Sequence, residues 1–212
     1  MLKNSDFVCL LVSFSLQVGL SWAIASVIGQ VLQPCGYSDD LVGQALFVTT
    51  ASGATGSFVI AFVLRTNHHR YFLIYKVLIV LTAVGVLLCF GLNKPDEGFL
   101  LMVCWMFYGL NTGPLTSTSL ELAAEMTYPI PADNSATLLF AVAIGVYFIS
   151  AVVLTSLLHM SRSCSSVLTP ASISVCLFAI AASVIALPMK PRFRRKEIAA
   201  TALAQRSISA SM

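Results

Sequence analysis

Six long apolar runs dominate this 212-residue chain. They lie at roughly Phe7–Leu32, Leu41–Leu64, Tyr71–Leu92, Gly98–Ser119, Ser135–Leu158 and Thr169–Leu187. Each is about 19 to 26 residues, and ~20 residues rising ~1.5 Å apiece cross a hydrocarbon layer of ~30 Å. Lipid offers no partner for backbone N–H and C=O groups, so such runs must be helical. They are too long, and alternate too little, to be strands of a barrel. Composition agrees: 58% of residues are hydrophobic and only 10% charged, whereas a soluble domain carries about 25% charged residues. The expected fold class is all-α, a polytopic membrane bundle of six transmembrane helices over residues 1–190. A basic, loosely ordered tail follows over 191–212.

Lys3 precedes the first run, as in a secretory signal. A signal's apolar region is only about 7 to 15 residues and ends at a small-residue cleavage site. Phe7 to Leu32 is much longer and is interrupted by Gln17, Gly19 and Gly29, so it is read as a true span.

Charge placement gives an orientation. One side of the six-span arrangement holds Lys3, Arg65, Arg70, Lys76, Lys190, Arg192, Arg194, Arg195, Lys196 and Arg206. The other holds only Lys94 and Arg162. Ten against two puts both termini in the cytoplasm, and an even number of spans requires both on one side. The expected setting is the plasma membrane rather than an organelle membrane. No basic face suggests nucleic acid.

The connections carry breaker residues. Gln33 to Asp40 includes Pro34 and Gly36, Arg65 to Arg70 is a basic turn with His68 and His69, Asn93 to Glu97 contains Pro95, and Met160 to Leu168 is Ser-rich. In Thr116 to Asp133, helical composition persists to about Tyr128 before Pro129 and Pro131 end it. The fourth helix is therefore expected to project beyond the bilayer. Asn111, Gly113 and Pro114 predict a kink within it. The cluster Arg192 to Lys196 suits anionic headgroups.

Polar residues inside spans are the candidate functional groups. Ser13, Gln17 and Ser21 recur every four residues and form a stripe that either bonds a neighbouring helix or lines a cavity. Gln17 lies ~15 Å into the first span, and Trp22 ~22 Å. An indole there either packs or forms an aromatic wall for a cationic ligand. On an ideal helix Trp22 and Gln17 are about 140° apart, so a shared cavity needs distortion, with Gly19 as its candidate. Asn111 lies at a similar depth to Gln17. Glu121 and Glu125 share a helix face near the cytoplasmic interface. They form either a solvated pair or a gate, with Arg65 and Arg70 available as partners. Cysteines show no metal spacing. Cys35 and Cys164 occupy loops on the non-cytoplasmic side, where a disulfide between them can form in an oxidising compartment. No G-x-S-x-G elbow or His-based ligand set is present, so no enzyme, metal or cofactor is expected.

The segment from Glu121 to Pro129, ELAAEMTYP, resembles the penultimate-helix region of the FLVCR-related (feline leukaemia virus subgroup C receptor-related) transporters of the major facilitator superfamily. The opening is similar to that family's seventh helix, through Leu2-Lys3-Asn4, Phe7, Val18-Gly19, Ala23-Ile24 and Gln30, and Gly56-Ser57 fits as well. Members have twelve spans in two halves, so the resemblance implies the C-terminal six-helix half of such a transporter. It implies alternating-access transport of a small organic solute such as haem, choline or ethanolamine, or a vitamin. Trp22 falls where relatives place an aromatic against a quaternary ammonium, and Gln17 replaces a family Asn. Arg65 stands where an acidic residue is usual, and Ile144 where relatives have a polar Gln. Substrate binding is assigned to Gln17, Trp22 and Asn111, and gating to Glu121, Glu125, Arg65 and Arg70. Transport then requires a missing N-terminal half, a partner chain or a homodimer. Met1 falls where the linker before the seventh helix would end, so a partial gene product or short isoform is expected. The other expectation is a non-transporting short form that associates with a full-length transporter.

Overall fold

The structure, a computed structural model, describes residues 5–66, 71–91, 97–160 and 169–189. Six α-helices account for nearly all of them: α1 (Ser5–Leu32), α2 (Asp39–Thr66), α3 (Tyr71–Gly91), α4 (Gly98–Thr127), α5 (Ala132–Met160) and α6 (Pro170–Ala186). Helices α1 to α5 are long and apolar enough to cross a membrane. α6, at 17 residues, spans ~25 Å, close to but short of a full hydrocarbon layer. Thr169 caps it, its hydroxyl accepting from the Ser172 N–H, with Pro170 in the first turn. Arg70, His68, His69, Cys164, the turn at 92–96 and the tail from Lys190 lie outside the described residues.

α1 leads into a short 3-10 turn, Gln33–Cys35, which ends at Gly36 with φ +84. That left-handed backbone suits glycine, which has no Cβ to clash there. Cys35 is disulfide-bonded, whereas Cys9, Cys89, Cys104 and Cys176 are free. α4 is 30 residues long, ~45 Å, and runs past a bilayer's thickness before stopping at Tyr128 and the prolines. The Tyr128–Pro129 peptide is cis.

The helix contacts repeat themselves. α2 packs extensively on α4, and α1 on α5; α3 packs on α4, and α6 on α1. Exchanging α1 with α4, α2 with α5 and α3 with α6 maps these pairs onto one another. Such a pattern is that of two three-helix units of opposite orientation. α1 and α4 are the shared inner helices.

Small residues allow the close pairs. A Cβ added at Gly53 would lie 3.2 Å from the Gly109 carbonyl oxygen, and one at Gly56 would lie 2.9 Å from Pro114 Cγ and closer still to the Leu110 carbonyl oxygen. Pro114 has no N–H, so the Leu110 carbonyl loses its usual donor four residues on. Gly56 of α2 sits on that carbonyl. The helix is continuous through Pro114. That proline falls where a neighbouring backbone approaches, a small-residue contact of the kind that holds membrane helices together. Gly19 does the same for α1 and α5, since a Cβ there would come within 2.7 Å of the Ala143 carbonyl oxygen.

Exposed side chains on α3 and α6 are largely aliphatic, including Leu73, Val77 and Val84 on the first and Leu177, Ile180 and Val184 on the second. These stripes suit acyl chains. Lys76 extends from α3 across the Phe72 ring, its ammonium 4.4 Å from the centroid, and donates to the Leu187 carbonyl at the end of α6. A cation there satisfies carbonyls left open at a helix C-terminus.

Candidate transport site

The polar stripe of α1 serves helix association at both of its ends. Ser13 Oγ and Tyr75 Oη of α3 share a hydrogen bond of 2.7 Å. Tyr108 Oη of α4 donates to Ser21 Oγ at 2.7 Å, and Ser21 donates onward to the Gln17 carbonyl at 2.8 Å. Interhelical hydrogen bonds in lipid are worth about 0.6 kcal/mol on average and up to ~1.7. Tyr75→Phe and Tyr108→Phe should each lower stability by about that amount, measured by reversible unfolding in mixed micelles. Tyr75 is fully buried, so its hydroxyl has no water to replace Ser13.

Gln17, the middle member, is different. It is 1% exposed, and neither its Nε2 nor its Oε1 has a hydrogen-bond partner in the protein. Ser15 Oγ, Thr118 Oγ1 and Trp105 Nε1 are likewise buried without partners. A native interior pairs most buried polar groups, and the Gln17 amide is an exception. Asn111 is 7% exposed, and its Nδ2 donates back to the Phe107 carbonyl at 2.7 Å.

Trp22 lies on another face of α1 and is 39% exposed. Its ring stacks on Phe140 of α5 with centroids 6.2 Å apart and planes 5° apart. Tyr147 meets it edge-on at 6.4 Å, and Phe14 meets the far side of the group through Phe140 at 5.6 Å. The result is an aromatic wall shared by α1 and α5. Phe140 also borders an open hollow along α5 with Asp133, Ala136, Thr137, Ala141 and Ile144. α1 is an uninterrupted helix through Gly19, which is used for the approach of α5.

Glu121 is exposed and Glu125 half-buried, near the end of α4. Both are close enough to the first residue of α3, Tyr71, to act on it electrostatically. Arg65 is exposed at the end of α2. The predicted site residues thus fall into three separate places: Gln17 and Asn111 inside the bundle, Trp22 on an open aromatic face, and the glutamates at the α3 entrance. Sequence reading missed Phe140 and Tyr147. Their spacing of seven residues on α5 puts them on one helix face, a signal hidden among many apolar neighbours.

No family model matches the chain. It is 25% identical over 142 residues to Solute carrier family 49 member A3 of Danio rerio, covering 66% of this chain and 30% of that protein. To the protein of the same name from Xenopus tropicalis it is 28% identical over 142 residues, covering 66% of this chain and 29% of the other. The chain therefore spans under a third of the length of the curated relatives it matches, and its likeness is to membrane solute carriers rather than to enzymes.

Proposed function

We propose that this chain is one bundle of an FLVCR-like major facilitator transporter, its C-terminal six-helix half, moving a small organic solute across the membrane by alternating access. Alternating access needs two bundles rocking about a site near the midplane. One observation carries the reading: an aromatic wall of Trp22, Phe140 and Tyr147 is left open on the side of the bundle that also has a hollow. Aromatic faces attract flat or cationic groups, consistent with haem, choline, ethanolamine or a vitamin of the B6 kind as the solute. Gln17, with its unpartnered amide, supplies hydrogen bonds on the inner side, and Asn111, buried in α4, is the other amide available. Glu121 and Glu125, with Arg65 and Arg70, form the gate at the end where both termini lie, which the ten-to-two charge bias makes the cytoplasm. The membrane is the plasma membrane.

A second reading is that the chain does not transport alone but associates with a full-length transporter.

The test is uptake of labelled choline, ethanolamine, pyridoxine and haem into vesicles carrying the chain. Trp22→Ala should weaken apparent affinity for a cationic solute by about thirtyfold, the ~2 kcal/mol of a desolvated cation–π contact. Glu121→Gln should slow turnover while leaving affinity nearly unchanged. Uptake that is identical for both variants and the parent would remove the site assignment. Uptake by none of them would favour the second reading.

A further inference from the structure

Helices α3 and α4 pack extensively on one another and approach closely where α3 has a glycine. A Cβ added at Gly85 would lie 3.1 Å from Tyr108 Cα. One carbon–carbon bond further back, the two Cα atoms are no more than ~4.6 Å apart. The helices are consecutive and antiparallel. The residue four places beyond Gly85 therefore lies opposite the residue four places before Tyr108, on the same two faces. These residues are Cys89 and Cys104.

Other contacts agree with this register. Cys89 lines one small hollow together with Trp105 and Tyr108 of α4, and Trp105 is the next residue after Cys104. The two thiols are close enough to act on each other electrostatically. Cys89 is 4% exposed and Cys104 5%, both inside one apolar cluster, and both are free. A disulfide bridges Cα atoms about 4.4–6.8 Å apart. One turn beyond the Gly85–Tyr108 contact, the ~20° crossing common in membrane bundles adds ~2 Å. The cysteine pair stays within bridging range.

Its place in the bundle decides what it meets. Cys89 is two residues before the end of α3 at Gly91, and Cys104 six after the start of α4 at Gly98. They are thus ~3 and ~9 Å from the helix ends. α1 runs in the same direction as α3, and just past α1 at this end Cys35 is disulfide-bonded. Disulfides persist where a membrane faces an oxidising compartment. The free pair lies within two turns of that side.

We propose that Cys89 and Cys104 are a redox modification site, closing under peroxide to a second, reversible disulfide that fastens α3 to α4. A small uncharged peroxide reaches apolar surroundings that exclude charged disulfide reagents. One cysteine, as its thiolate, attacks the O–O bond and becomes a sulfenic acid, releasing one water. The second sulfur displaces the sulfenic hydroxyl, which leaves with that thiol's proton as another water. Two thiols are oxidised to one disulfide, and one peroxide is reduced to two waters. The product is neutral and apolar, as its surroundings require. This goes beyond the transport reading and does not depend on it.

The experiment uses the full chain in phosphatidylcholine vesicles, with Cys9 and Cys176 replaced by alanine. Hydrogen peroxide is added, then removed, and the protein is denatured and labelled with a maleimide. Before treatment both Cys89 and Cys104 should label. After it both should lose their label, the intact mass should fall by two hydrogens, and a thiol reductant should restore labelling. A second variant carries Cys104→Ala with Val103→Cys, which moves one thiol to an exposed position on α4. There the same treatment should leave no internal bond. Full labelling after peroxide, a mass raised by added oxygen instead of lowered by two hydrogens, or equal bonding in the displaced pair would each overturn the proposal. Uptake plays no part in these readouts.

Discussion

Gly113→Leu should prevent α2 and α4 from associating and leave little folded protein. A Cβ alone at Gly113 would meet the Gly53 carbonyl and come within 2.8 Å of Ser57 Oγ. At Gly109 it would meet the Thr49 carbonyl and Ser52 Oγ. These obstacles are mostly backbone and cannot rotate away. Overpacking of this kind costs about 1–3 kcal/mol where neighbours can shift, and rigid helix backbones can shift little. α2 is also poorly held elsewhere, since α4 is by far its main neighbour. Losing that contact releases the helix with its Phe-rich outer face. The milder Gly113→Ala should cost about 1–3 kcal/mol, followed by the unfolding midpoint in mixed micelles. Gly145→Ala is the control, because nothing lies within 4 Å of its added Cβ; Ala should even help there, by the ~1 kcal/mol difference in helix propensity. Equal stability of the Gly113 and Gly145 variants would show that the α2–α4 contact is looser than its geometry.

The spans were legible because lipid imposes a simple rule on length and apolarity, and α1 to α5 follow it. Runs expected at Leu41–Leu64 and Ser135–Leu158 became the longer helices Asp39–Thr66 and Ala132–Met160. Polar ends continue a helix for a turn or two after the hydrophobic signal stops, as Asp39, Asp40 and Asp133 do here. The stop at Tyr128 was readable from two prolines. What Pro114 does was not readable, because a proline's effect depends on what lies against its orphaned carbonyl, and Gly56 comes from another helix. The same limit applied to the α1 stripe. Spacing of four showed that Ser13, Gln17 and Ser21 share a face, but only the arrangement of α3 and α4 decides that two of them bond tyrosines while the Gln17 amide finds no hydrogen-bond partner. Trp22 was found from its own identity, whereas its companions Phe140 and Tyr147 needed the pairing of α1 with α5.

Gln17→Leu should make the chain more stable and less able to transport. The side chains are similar in volume, and the site is 1% exposed. In the parent, two amide atoms are buried without partners, a condition that costs about 1–3 kcal/mol for the unsatisfied group. Leucine removes both at once and fills the space between Phe14 and Val18, which already belong to one apolar cluster. A gain of about 1–3 kcal/mol in unfolding free energy is therefore expected, against the destabilisation that core substitutions usually bring. If the amide is kept for a solute, uptake should fall by at least tenfold, the ~1.4 kcal/mol or more contributed by a buried hydrogen bond to the ligand. Gln17→Asn separates the two effects: it keeps the amide but shortens its reach, so it should lose uptake without gaining stability. Stability and uptake would then move in opposite directions in Gln17→Leu, as expected where a binding group is held at the expense of the fold. A Gln17→Leu chain that is no more stable would mean that the amide is satisfied in the membrane, and unchanged uptake would take Gln17 out of the transport path.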